Sequence, residues 1–213
     1  YIIANPNCST MQMLVVLAPL HEKFKIKRLV ISTYQSVSGT GKAAIDQLNS
    51  ERNNLSSEKV YPYSIDQNLL PHCDVFEKDG YTKEENKLIN ETRKILNDYS
   101  IQITSTAVRV PIEVCHGETV NIEFKNKFQL KEVYSILRNT PGLIVEDEPQ
   151  DNLYPMPLNA ANKDEVVVGR VRRDFSIENG LNLWIVADNL RKGAATNTIQ
   201  IAEKLIEMGL VRF

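Results

Sequence analysis

The chain has 213 residues, with 25 Lys and Arg against 27 Asp and Glu, a net charge of −2. This balance offers nothing to a nucleic-acid backbone or an acidic membrane surface. With 42% hydrophobic and 24% charged residues, nine Gly and nine Pro, the composition is that of an ordinary globular protein; it contains no apolar run of the ~18 residues that a membrane span needs.

The opening Tyr1-Ile2-Ile3-Ala4 has neither an initiator Met nor a charged segment before an apolar stretch, so it does not read as a signal peptide. It reads as a strand continuing from something larger, and an upstream domain is expected before it. Asn5-Pro6-Asn7 is turn chemistry. Ser9 or Thr10 is then placed to cap a helix to about Phe24, with Met11, Leu14, Val15, Leu17 and Ala18 on its apolar side. Lys25–Val37 is rich in β-branched and aromatic residues and predicts a strand. A turn at Ser38-Gly39-Thr40-Gly41 leads into a helix to about Arg52. Residues 53–80 have no clear period and predict a long loop, a feature that often covers a site.

Thr82 is a plausible N-cap for a helix to about Asp98, with Glu84 and Glu85 in its first turn. Strands follow over Gln102–Val110 and Glu113–Phe124, a helix over Leu130–Arg138, and a strand over Leu143–Glu146. An irregular stretch runs through Pro149, Pro155 and Pro157. Val166–Arg173 and Leu181–Ala187 predict two strands around Asn179-Gly180. A last helix spans about Leu190–Met208, with Gly209 as its C-cap. The order predicts an α+β fold, a mixed β-sheet packed against helices. No linker-like shift divides the chain, so residues 1–213 are expected to form one domain.

Three cysteines, Cys8, Cys73 and Cys115, are widely spaced and lack any CxxC. They predict a reducing compartment, hence a cytoplasmic location. Cys8 is the sharpest chemical candidate. It sits where a turn enters a helix, and a helix N-terminus favours thiolate and offers N–H groups to an oxyanion. A small buried cysteine is the bland alternative. His116 is the natural acid–base partner, because it titrates near neutrality; His21 and His72 are weaker candidates. Cys115, next to His116, is expected to point to the opposite face.

Arg109 follows an apolar run and must meet an anion, either a structural carboxylate or a substrate. Seven residues separate it from His116, an odd spacing that sends the two to opposite faces of one flat strand unless Pro111 breaks it. Gln35 to Gly41 holds a glycine pair ahead of a helix, a weak phosphate or cofactor signal. Ala44 stands where a third Gly would complete a dinucleotide fingerprint. Glu84 and Lys87 share a helix face, as a ligand-holding or merely solvated pair. No Cys–His spacing matches zinc, so no metal is expected.

These stretches, in order, resemble aspartate-semialdehyde dehydrogenase: Asn5-Pro6-Asn7-Cys8-Ser9-Thr10, Thr33-Tyr34-Gln35-Ser36-Val37-Ser38-Gly39, Glu84-Glu85-Asn86-Lys87 with Glu91-Thr92, Arg109-Val110-Pro111 with His116-Gly117, and Asp188 through Ala195. The one departure is Cys115, where the family pattern has Gly before the histidine. The resemblance implies a glyceraldehyde-phosphate-dehydrogenase-like C-terminal domain, catalytic and dimerising, without the family's N-terminal NADP-binding domain. It implies reduction of L-aspartyl 4-phosphate to the semialdehyde with NADP as cofactor, in lysine (through diaminopimelate), threonine and methionine biosynthesis.

Within that resemblance Cys8 is the nucleophile and His116 moves protons. Gln35, Glu84, Lys87 and Arg109 hold the substrate. Ser38, Gly39 and Asn189 approach the nicotinamide half of NADP, which the missing domain would mainly bind. The last helix would pack on that domain, and a homodimer is expected. These residues alone are expected to show little dehydrogenase activity. Alternatives are a relative acting on N-acetylglutamyl phosphate or glyceraldehyde phosphate, a cofactor-free Cys–His acyltransferase or thiol hydrolase, and a non-catalytic dimerisation module.

Overall fold

A computed structural model of the chain describes residues 2–211. Ile2–Ala4 form no strand, against expectation; they find no neighbouring strand to pair with, and Tyr1 lies outside the described residues. The elements are α1 (Cys8–Phe24), β1 (Ile26–Gln35), α2 (Lys42–Arg52), α3 (Lys83–Ile95), β2 (Gln102–Arg109), β3 (His116–Phe124), α4 (Leu130–Arg138), β4 (Leu143–Val145), α5 (Pro157–Ala160), β5 (Val166–Asp174), β6 (Gly180–Ala187) and α6 (Thr196–Glu207). Among the described residues no helix is long and apolar enough to cross a membrane.

Six strands form one mixed sheet in the order β2-β1-β3-β6-β5-β4. The β1–β2 and β4–β5 pairs are parallel; the three pairs between them are antiparallel. Strand alternation sends one set of side chains toward α1, α3 and α4. There Leu29, Ile31, Val120, Ile122, Leu181 and Leu183 meet Met13, Leu17 and Leu20 of α1 in the main core. The buried stripe of α1 is wider than the sequence predicts: Met13, Val16 and Leu20 are fully buried, while Val15 and Ala18 are partly exposed.

The segment 53–80 is indeed without helix or strand, tied down by short bridges at Leu70–Arg109 and Phe76–Thr82. The predicted last helix is two pieces. Asp188 Oδ1 accepts the N–H groups of Leu190 and Arg191, and a π-helical turn over Arg191–Ala195 precedes α6. A wider turn of this kind often marks a functional site; here it brings Gly193 against Cys8, so close that an added Cβ would stand 3.0 Å from the Cys8 Cβ.

Candidate active site

The sheet register decides which polar side chains meet. Gln35 at the end of β1 is paired with Arg109 on β2 and with His116 on β3. The three therefore form one row across three neighbouring strands, on the face that α1 covers. The odd spacing of Arg109 and His116 carries no weight, because they lie on different strands. All three are buried.

Cys8 is the first residue of α1, and its cap is Asn7 rather than Ser9 or Thr10. Asn7 Oδ1 accepts from the N–H groups of Ser9 at 3.0 Å and Thr10 at 3.2 Å. An asparagine directly before a helix is a strong cap signal in its own right. Asn7 also donates through Nδ2 to Glu84 Oε1 at 2.8 Å, and its N–H donates to Glu91 Oε2. Gln35 Nε2 donates to the same Glu84 oxygen at 3.1 Å. Lys87 Nζ donates to Glu84 at 3.3 Å and to Asp74 at 3.0 Å. Burial works against the Lys87 charge, but the bond to Asp74 and the charges of Glu84 and Asp74 keep its pKa above the ordinary lysine value.

Between these groups is a cavity of about 340 Å³ lined by Asn7, Cys8, Gln35, Gly39, Thr40, Asp74, Glu84, Lys87 and Arg109. Five predicted site residues line it beside Cys8. Thr40 and Asp74 have no sequence signal, since both sit in irregular backbone; Asp74 adopts a left-handed φ of 66°.

His116 lies behind this wall. Its Nδ1 accepts the Ser36 N–H at 3.1 Å, so the neutral ring carries its proton on Nε2. Burial, then the charge of Arg109, pushes its pKa down to about 3. Nε2 has no partner among the described residues. Gly39 stands against it: an added Cβ would lie 2.9 Å from an Arg109 guanidinium nitrogen and 3.1 Å from His116 Nε2. Arg109 donates to the Ser36 carbonyl at 2.7 Å, while its Nε is unpaired. The helix terminus does not make Cys8 acidic here. Burial and then Glu84 push its thiol up to about 12, with Arg109 opposing the rise.

Asn189 and Ser38, both expected to approach the nicotinamide, are hydrogen-bonded to each other. Asn189 donates to Ser38 Oγ at 2.9 Å and accepts from Ser36, Ser38 and the Cys115 N–H. Cys115 has a left-handed φ of 74° and packs on the far face with Ala160, Val167 and Val186. Among the described residues no group of three His, Cys, Asp or Glu side chains stands ready to hold a metal.

Residues 17–192 match the family model described as semialdehyde dehydrogenase, dimerisation domain. The chain belongs to this semialdehyde dehydrogenase family. It is 50% identical to the aspartate-semialdehyde dehydrogenase of Aquifex aeolicus, over 99% of this chain and 64% of that protein. It is also 50% identical to the Legionella pneumophila enzyme, over 96% and 60%. A crystal structure of aspartate semialdehyde dehydrogenase II from Vibrio cholerae complexed with ASA superposes with a TM-score of 0.91 at 45% identity, over 97% of this chain and 62% of that one. The enzyme from Candida albicans with NADP superposes at 0.75 and 26% identity, over 99% and 59%. The chain thus spans about three-fifths of the length of these relatives. The α+β fold expected of a semialdehyde dehydrogenase dimerisation domain is the one observed.

Proposed function

We propose that the chain carries the nucleophile and substrate site of an aspartate-semialdehyde dehydrogenase, which reduces L-aspartyl 4-phosphate with NADP as cofactor and acts as a homodimer. The observation that carries this reading is the cavity itself, where Cys8 faces Arg109, Gln35, Glu84 and Lys87 together. The substrate bears a carboxylate and an ammonium on its α-carbon and a phosphate on the acyl carbon two bonds away. Arg109 suits the carboxylate through its planar fork. Glu84 suits the ammonium and Lys87 the phosphate, with Gln35 orienting the chain between them.

The Cys8 thiol attacks the acyl carbon, the carbon–oxygen bond to phosphate breaks, a thioester forms, and the thiol proton leaves with the phosphate. When bound, NADPH supplies the hydride that reduces this thioester. The Nε2–H of neutral His116, which its bond with Ser36 leaves protonated, then donates a hydrogen bond to the developing oxyanion. Breaking the carbon–sulfur bond releases the aldehyde and returns the thiolate. The high thiol pKa fits this order of events. Glu84 is the largest charge holding Cys8 protonated, and a substrate ammonium bound to Glu84 removes that charge. An N-acetylated substrate brings no such cation, which favours the aspartyl over the acetylglutamyl reading.

Gly39, on the cavity wall with Ser38 and Asn189 behind it, would face the nicotinamide end of NADP. The exposed apolar side chains of α6, Ile199 and Ile206 among them, suit a cover by a nucleotide-binding domain. The test is phosphate- and NADP-dependent oxidation of aspartate semialdehyde by the chain joined to such a domain. We expect Cys8→Ser to lower turnover by on the order of 10³-fold or more, with the acyl group trapped on the Cys8 peptide of the parent protein. Turnover that survives Cys8→Ser would overturn the reading. The 213 residues alone are expected to bind NADP weakly.

A further inference from the structure

Under the first turn of α1 lies a carboxyl group that the mechanism above does not use. Glu118 is two residues beyond His116 on β3, on the same face, and it is fully buried. Its register partners are Thr33 on β1 and Ile185 on β6, and Ala107 continues the row on β2. None of these is a cation. Both carboxyl oxygens lack a hydrogen-bond partner among the described residues, and so do Ser9 Oγ and Gln12 Oε1. Ser9 and Gln12 are three apart on α1 and are the side chains that face Glu118, yet no bond closes to hydrogen-bonding length. Gln12 is anchored at its other end, donating to the His116 carbonyl at 3.2 Å.

A buried carboxylate with no cation, and with the Ser9 and Gln12 side chains just beyond hydrogen-bonding length, carries a desolvation cost that outweighs their help, so the group keeps its proton. The charged and titratable groups around it reinforce this. Glu84 of α3 is negative, and Cys8 of α1 becomes negative when it reacts. Arg109 of β2 pairs with the Ser36 carbonyl and faces the cavity. Two negative charges so close within a dry site do not coexist, and the proton on one is the condition for ionising the other.

We propose that Glu118 is a positioning residue for Cys8: a carboxyl kept protonated beneath the first turn of α1, where it holds that turn through Ser9 and Gln12 and leaves the thiolate free of a second negative charge. As an acid it supplies the donor that Gln12 Oε1 lacks, directly or through one internal water, for which such a polar pocket is suited. The inference rests on Cys8 being the nucleophile.

Two measurements on the full chain test it. The infrared difference between the parent protein and Glu118→Gln at neutral pH should show the C=O stretch of a protonated carboxyl. Iodoacetamide alkylation of Cys8, followed by peptide mass at mildly alkaline pH, should proceed in Glu118→Gln within about twofold of the parent, since glutamine is neutral and still donates. In Glu118→Leu, which has no donor, Cys8 should react about tenfold more slowly, the equivalent of one unit in thiol pKa. If the leucine variant fails to fold, the infrared band and the glutamine variant decide. The inference is overturned by an absent band, by a glutamine variant alkylated about tenfold faster (the mark of a removed charge), or by glutamine and leucine behaving alike. A reactive Cys8 without the band overturns this inference alone. A Cys8 that never reacts while Cys73 does removes the nucleophile reading, and the positioning role falls with it.

Discussion

The two helices that build the cavity begin with the same local device and end in opposite conditions. At the start of α3, Thr82 and Glu85 form a reciprocal capping box, and the second oxygen of Glu85 accepts the Ala107 N–H at 2.9 Å. Every polar atom named there is satisfied. At the start of α1, Asn7 caps the backbone, but Ser9 Oγ, Thr10 Oγ1 and Gln12 Oε1 are buried without partners among the described residues, above a carboxyl in the same state. One terminus is built for stability. The other holds unspent hydrogen-bonding capacity around a nucleophile, the pattern expected where stability yields to chemistry.

The hardest blow to the reactive terminus is Gly39→Ala. The new methyl would press on the Arg109 guanidinium and His116 at once, and both are held by Ser36. Overpacking of this kind costs about 1–3 kcal/mol; a thermal melt should show it, with loss of substrate binding. A melt unchanged within error would mean that the wall is soft.

Next in size is the pH dependence of stability. His116 is pushed down from 6.5 to about 3 when folded. Below pH 6.5 the unfolded chain takes up a proton that the folded chain refuses, so stability falls with falling pH through that window, by about 1.4 kcal/mol per pH unit at most. Glu118 acts with the opposite sign. Its folded pKa is raised, so its contribution is lost as pH rises above the ordinary carboxyl value of 4.5 and through the raised one. Denaturant titrations across pH should show His116→Gln flattening the acid limb and Glu118→Gln the alkaline limb. Exchanged effects would contradict the assigned protonation states.

The caps themselves separate the two termini more finely. Thr82→Ala and Asn7→Ala should each cost about 1 kcal/mol, but only Asn7→Ala frees Glu84 and should raise KM for the proposed aspartyl substrate. Equal KM values would place Glu84 outside the binding site. Smallest is Cys115→Gly. It relieves a left-handed residue while emptying a small buried volume, and the two effects, each about 1 kcal/mol, should nearly cancel in a denaturation midpoint.

Much of this was legible in the chain by itself. The periods of α3 and α4, the Thr82 cap and the strand pairs around Asn179-Gly180 follow from local signals, because capping and alternation act within a few residues. So do Cys8 and His116 as candidates, because their chemistry is intrinsic to the side chains. What only the tertiary structure decided is how these groups meet and in what state. The convergence of Gln35, Arg109 and His116 depends on the register of three strands, and strand register is a long-range property. The π-helical turn that sets Gly193 on Cys8 depends on Asp188 seizing two backbone N–H groups. The thiol pKa moved against the local expectation, because burial and the Glu84 carboxylate, distant in sequence, outweigh the field of a helix end. Side-chain type is written in the sequence; electrostatic environment belongs to the packed interior.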